Sequence, residues 1–149
     1  MSELLAELRH EGLCRLYDYW RGKCGTRTFP SRRDIDPLDF RYVLGNVILL
    51  EVLSDPLRFR FRLMGANLTQ RAGYDLTGKL IDDIPDTERR AFAKAFYGSV
   101  VEARQPRAAA RERQFDGAVW RSEFVAMPLA ADGEHIDMLL VGNVFTGGG

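Results

Sequence analysis

The sequence predicts an α+β fold in which helices pack on an antiparallel sheet, and three observations carry this. Arg58 to Leu63 alternates arginine with Phe59, Phe61 and Leu63, the two-residue period of a strand with one buried and one wet face. Asp116-Gly117 and Asp132-Gly133 separate three extended runs near the C-terminus, the pattern of consecutive hairpins. Apolar residues recur at helical spacing in two segments, one at the start of the chain and one in its second half. A length of 149 residues fits one domain, and 46% hydrophobic with 28% charged residues is a globular balance.

The first element reads as an amphipathic helix from Ser2 to Trp20, with Ser2 as N-cap. Its apolar stripe is Leu4, Leu5, Leu8, Leu13, Leu16, Tyr17 and Trp20. A loop from Arg21 to Asp36 leads to a short helix over Pro37 to Leu44, started by Asp36 and the proline and ended by Gly45. Asn46 to Leu53 is apolar except for Glu51, as a central strand covered on both faces is. The Ser54-Asp55-Pro56 turn joins it to the alternating strand, whose arginines read as a solvated row. From Gly65 to Ile84, Gly65, Gly73 and Gly78 punctuate short helical turns. A longer helix follows from Thr87 to Arg104, with Phe92, Phe96 and Val100 on its apolar face and Pro106 beyond its end. The last strands are Arg107 to Phe115, Val119 to Leu129 and His135 to Phe145. The chain thus divides into an N-terminal helical extension, 1–45, and a core, 46–149, within one structural domain.

Acidic and basic residues number 21 each, and the zero formal charge argues against nucleic acid as a partner. No run approaches the ~20 apolar residues that span a bilayer, and charges interrupt the first twenty positions. A cytoplasmic location without a membrane partner is expected. Cys14 and Cys24 show no metal-binding spacing; His10 and His135 stand alone and read as surface residues. Between Cys24 and His135 neither residue type occurs, which removes the usual thiol nucleophile and general base. No Gly-x-Ser-x-Gly elbow is present, and the spacing Gly73, Gly78, Lys79 fails as a phosphate loop because Leu80 replaces the required hydroxyl. Asp34/Asp36 and Asp82/Asp83 lie beside helix starts and read as caps. No catalytic residue, metal or cofactor is expected, and the chain reads as non-enzymatic.

The stretch Pro30-Ser31-Arg32-Arg33-Asp34-Ile35-Asp36-Pro37-Leu38-Asp39, preceded by Tyr19-Trp20, resembles the opening of a bacterial PAS subfamily of short, free-standing alphaproteobacterial proteins. Phe59 to Gly65, Gly73-Tyr74-Asp75-Leu76-Thr77-Gly78, and Met127-Pro128-Leu129 to Asp132-Gly133 extend the resemblance to nearly the whole chain. It implies a five-stranded antiparallel sheet in the order 2-1-5-4-3, helices on one face, and a core that is either filled or open to a small ligand. It also implies sensing, or binding a partner such as a histidine kinase, with the signal passed in trans. The flavin-photoadduct and haem types are not expected, because Gly65 to Ile84 lacks cysteine and histidine.

Two other classes fit an apolar α+β core. One is a ketosteroid-isomerase-like enzyme, for which Tyr74 or Glu123 would have to supply a cavity acid or base. The other is a structural partner-binding domain with a filled interior. If a pocket exists, alternation assigns to it Ile48, Leu50, Phe59, Phe61, Leu63, Phe124, Met138 and Leu140 from the strands. Tyr74, Phe96 and Val100 come from the helical side. The first and last strands are apolar on both faces, so which face turns inward is open. The seven large apolar residues of the first helix need cover, and a homodimer through that helix is expected over packing on its own sheet.

Overall fold

The computed structural model describes residues 8–115 and 117–147. Its elements are α1 (Glu11–Cys24), β1 (Val47–Leu53), β2 (Arg58–Met64), α2 (Ala66–Ala72), α3 (Thr87–Ala103), β3 (Arg107–Phe115), β4 (Ala118–Leu129) and β5 (Met138–Gly147). The strands form one antiparallel sheet in the order β2-β1-β5-β4-β3, as the family resemblance implies.

Both faces of this sheet are covered. On one face α2, α3 and the segment between them pack Leu68, Leu76, Ile81, Tyr97 and Val100 onto Ile48, Leu50, Phe59, Phe61, Leu139 and Val141. On the other face the chain before β1 packs Leu13, Leu16, Trp20, Phe29 and Phe40 onto Leu49, Val125, Met127 and Leu140. β1 and β5 sit at the sheet centre with both faces used, which is why neither shows alternation.

Among the described residues the N-terminal helix starts later than expected and runs on past Trp20 to Cys24. Residues 8–10 are not helical, and α1 starts at Glu11 with His10, not Ser2, at its head. His10 accepts a hydrogen bond from the Gly12 N–H through Nδ1 (3.1 Å), so it is a cap and not a free surface residue. The expected cap Ser2 and the residues Leu4 and Leu5 lie outside the described residues. Leu13, Leu16, Tyr17 and Trp20 are all buried on the chain's own sheet, at roughly 2 kcal/mol each for such side chains. The Trp20 indole N–H donates to the Pro128 carbonyl of β4 (2.7 Å). The apolar surplus that argued for a homodimer through this helix is therefore satisfied within the chain among these residues.

The expected helix Pro37–Leu44 is instead two single 3-10 turns, Pro37–Phe40 and Leu44–Asn46, although Asp36 does cap the first through its contact with the Leu38 N–H (3.0 Å). Gly65 explains the second turn. A Cβ there would lie 2.3 Å from the Gly45 carbonyl oxygen, so the start of α2 rests directly on that backbone. Phe115 pairs with Ala118, leaving Gly117 at a left-handed φ of 79° in the first hairpin loop; Asp116 lies outside the described residues. The second hairpin is not a two-residue turn. Leu129 pairs with Met138, and Asp132-Gly133 sits inside a longer loop that delays β5 from His135 to Met138.

Candidate ligand-binding site

Between the sheet and the helical layer, one half of the interface is filled and the other is open. Leu50, Phe59, Phe96 and Val100 close-pack in the filled half. The open half is a cavity of about 120 Å³. Its floor is Ile48, Phe61, Met64 and Leu68, and its side walls are Tyr74, Leu76, Phe92, Tyr97, Phe124 and Phe145. Phe92 meets Phe124 at 5.1 Å between ring centroids and Phe96 at 5.6 Å, a continuous aromatic wall from α3 to β4.

Local structure holds the open half in place. Two backbone bonds, Gly78 N–H to Phe61 O (2.7 Å) and Phe61 N–H to Lys79 O (2.8 Å), pin the segment after α2 along the edge of β2. Asp75 accepts from the Thr77 hydroxyl (2.7 Å) and N–H (2.9 Å), setting the turn that carries Tyr74 and Leu76. Asp86 caps α3 by accepting from the Glu88 and Arg89 N–H groups.

Polar groups enter the cavity at few points. Asn143 of β5 is 8% exposed, and its side-chain Oδ1 is buried with no hydrogen-bond partner. Burial pushes the Tyr97 hydroxyl well above its ordinary pKa, so it stays protonated. Arg71, Arg89, Arg111 and Arg113 line the mouth. Arg111 pairs with Glu88 at 2.7 Å and Arg113 more loosely at 3.9 Å. Arg71 lies over the rings of Phe145 (3.9 Å) and Trp120 (4.8 Å).

Of the residues assigned to a pocket from alternation, the structure gathers Ile48, Phe61, Tyr74 and Phe124 around the cavity. It places Leu50, Phe59, Phe96 and Val100 on the same side of the sheet but within the filled half. Leu63, Met138 and Leu140 are on the opposite face, against the N-terminal layer. For Leu63 the cause is a bulge: Leu49 pairs with Leu63 and Leu50 with Phe61, so Arg62 is an extra residue and parity flips beyond it. Met64 thereby takes the inward place. For Met138 and Leu140 the register of β5 turns Leu139 and Val141 inward instead. Leu63 and Met138 border a more open depression beside Arg32 and Asp137.

Residues not singled out from sequence include Met64, Leu68, Arg71, Arg89, Arg111, Arg113 and Asn143. Asn143 did carry a signal, being the one amide in an apolar central strand. Glu123 is not in the cavity. It points to the other face, where it accepts from the Arg9 and His10 N–H groups (2.7 and 3.0 Å) and pairs with Arg121 (2.9 Å). The cavity therefore lacks the carboxylate an isomerase dyad would take from it. Among the described residues no cluster of histidine, cysteine and carboxylate side chains could hold a metal ion.

The PAS domain family profile matches residues 8–143. The chain belongs to the PAS domain family. The match starts ahead of α1, so the N-terminal layer falls within it. No curated protein matches the chain. Among solved structures it is similar to the PAS domain of BvgS from Bordetella pertussis, at 18% identity and a TM-score of 0.46, covering 72% of this chain and 83% of that one. It is also similar to a sensory box sensor histidine kinase from Vibrio cholerae, at 16% identity, a TM-score of 0.49, and 73% and 90% coverage. The Rhodobacter sphaeroides LOV protein matches at 12% identity, a TM-score of 0.49, and 74% and 68% coverage. PAS domains are sensory and signalling modules, and in this one no described helix is long and apolar enough to cross a membrane.

Proposed function

We propose that this PAS domain is a sensor whose cavity binds a small organic molecule, and that binding is signalled to a partner protein, such as a histidine kinase, through the N-terminal layer. The observation that carries the reading is the half-open interface. Apolar side chains left open on this side forgo the packing contacts that the filled half makes, a cost a filled core would avoid. A purely structural domain gains nothing from that cost, whereas a binding site requires it.

The route to the N-terminal layer is short. Phe124 and Asn143 border the cavity, while their strand neighbours Glu123 and Gly142 face α1. A ligand that moves β4 against β5 moves the anchor of α1 as well.

The test fills the cavity with Ala93→Leu, from a lining position on α3 that is partly buried. Protein purified under native conditions is extracted and the extract compared by mass spectrometry. Wild type should release a small molecule that Ala93→Leu lacks, with the variant at least as stable to urea. Identical extracts, together with a stabilised variant, would favour the filled-core structural role and overturn the sensor reading.

A further inference from the structure

Charge is segregated at the mouth of the cavity in a way the composition does not require. Acidic and basic residues are equal in number over the chain, yet the lining contains four arginines and no carboxylate. Glu88 offsets Arg111 and Arg113 from outside the lining. Arg71 and Arg89 have no ion pair among the described residues, although the Asp86 carboxylate at the head of α3 attracts Arg89 at longer range. Burial, and then the neighbouring positive charge of Arg89, push the Arg71 guanidinium below its ordinary pKa. Two like charges at one opening repel until an anion lies between them.

The interior adds two constraints. A cavity of about 120 Å³ compares with the engineered void of about 150 Å³ that admits benzene, so the buried part of a ligand is about one ring in size. Asn143 Oδ1 is a buried acceptor lacking a donor, in a strand otherwise buried among apolar residues.

We infer that the ligand is a small organic carboxylate, its anionic end held by Arg71 and Arg89, an apolar body of one-ring size against Phe61, Phe92 and Phe124, and one donor directed to Asn143. This rests on the sensor reading above and specifies its ligand. A guanidinium offers two parallel donors that match a carboxylate. Arg71 is held for that role by its stacking on Phe145 and Trp120. A phosphate ester fits less well. It would draw on the N-terminal N–H groups of α3, and those of Glu88 and Arg89 are already taken by Asp86.

The experiment is calorimetric titration of the full chain near neutral pH and at low salt. The probes are para-hydroxyphenylacetate, its amide, phenylacetate, and short branched aliphatic acids with their amides. An acid should bind about tenfold or more tightly than its amide, and that preference should shrink to about twofold in Arg71→Gln and Arg89→Gln. Urea midpoints are checked first: Arg89→Gln, at an exposed position, should leave the midpoint unchanged, and Arg71→Gln, which gives up its stacking on Phe145 and Trp120, should lower it only slightly. Asn143→Leu should abolish the preference for para-hydroxyphenylacetate over phenylacetate. Equal binding of acid and amide would overturn the carboxylate assignment while leaving the sensor reading standing. A preference unchanged in both arginine variants would overturn the placement of the charge. Failure of every acid to bind at millimolar concentration would also overturn the proposal, and the Ala93→Leu extraction would then decide the sensor reading on its own.

Discussion

Glu123→Gln tests how the N-terminal layer is fastened. The Glu123 side chain is 2% exposed, and its carboxylate takes three donors: the Arg9 and His10 N–H groups on Oε1 and the Arg121 guanidinium on Oε2. Burial alone would raise its pKa, but the donors from Arg121, His10 and Arg9 outweigh it and hold the carboxyl below the usual glutamate value. Glutamine keeps the shape and loses the charge. Its amide can turn an oxygen to only one side, so either the backbone N–H pair or the guanidinium then faces another donor. With hydrogen bonds to charged groups worth about 1.5–3 kcal/mol, the expected loss is about 2–3 kcal/mol. For a chain of 149 residues that is a fall of roughly 5–10 °C in Tm. The pH dependence follows from the lowered pKa. The stabilisation is complete above the unfolded glutamate value, about 4.3, and is lost as pH falls through the folded value below it. The gap between wild type and Glu123→Gln should therefore be constant from neutral pH to about 5 and close on further acidification. Urea unfolding followed by tryptophan fluorescence across that range is the assay, since Trp20 is buried in the layer concerned. A loss under about 0.5 kcal/mol at neutral pH, or a gap that persists at low pH, would refute an ionised carboxylate as the fastening.

Two further outcomes follow from the sheet. Phe61→Ala, at a cavity-lining position only 4% exposed, should cost about 3–5 kcal/mol in urea denaturation, whereas Arg60→Ala removes a half-exposed pair with Glu51 worth at most about 1 kcal/mol. Equal losses would mean that β2 presents its other face. Gly65→Ala drives a Cβ into the Gly45 carbonyl and should cost about 2–3 kcal/mol, more than Gly73→Ala, where the strain is only a positive φ with open space around it. The reverse order would show that α2 does not rest on the Leu44–Asn46 turn.

The fold was legible in the sequence wherever one face of an element is dry and the other wet. Phe59 and Phe61 alternate with arginines and settle the inward face of β2 up to residue 61. The information ends there, because a bulge adds a residue without leaving a mark in residue type, and Leu63 lands with the N-terminal layer. Met138 and Leu140 were beyond periodicity for a different reason. In a strand covered on both sides every position is apolar, and one residue of register decides between layers. The start of α1 was misread because apolar spacing runs on through Leu8, while the capping His10 and the carboxylate that meets the backbone there are brought together by the fold. The arginines at the cavity mouth come from α2, α3 and β3, and no linear window contains them.

The N-terminal segment is more than an extension of the core. The outer faces of β1, β4 and β5 are apolar apart from the Glu123 end of β4, and without α1 and the turns after it Leu49, Val125, Met127 and Leu140 would stand in water. α1 comes so close that a Cβ on Gly142 would lie 2.5 Å from Leu13 Cδ2, so the helix seats on the strand backbone itself. Leu13, Leu16, Tyr17 and Trp20 are thus already engaged, and a second copy or a kinase that uses this stripe must first displace the sheet. At roughly 2 kcal/mol per large side chain, lifting the helix sacrifices a large part of the 5–15 kcal/mol that holds an ordinary domain together. A signal that leaves through α1 is therefore better carried by a small shift of a seated helix than by its release. The close seat on Gly142 and the Glu123 carboxylate tie the start of α1 directly to β5 and β4, as the proposed signalling route requires.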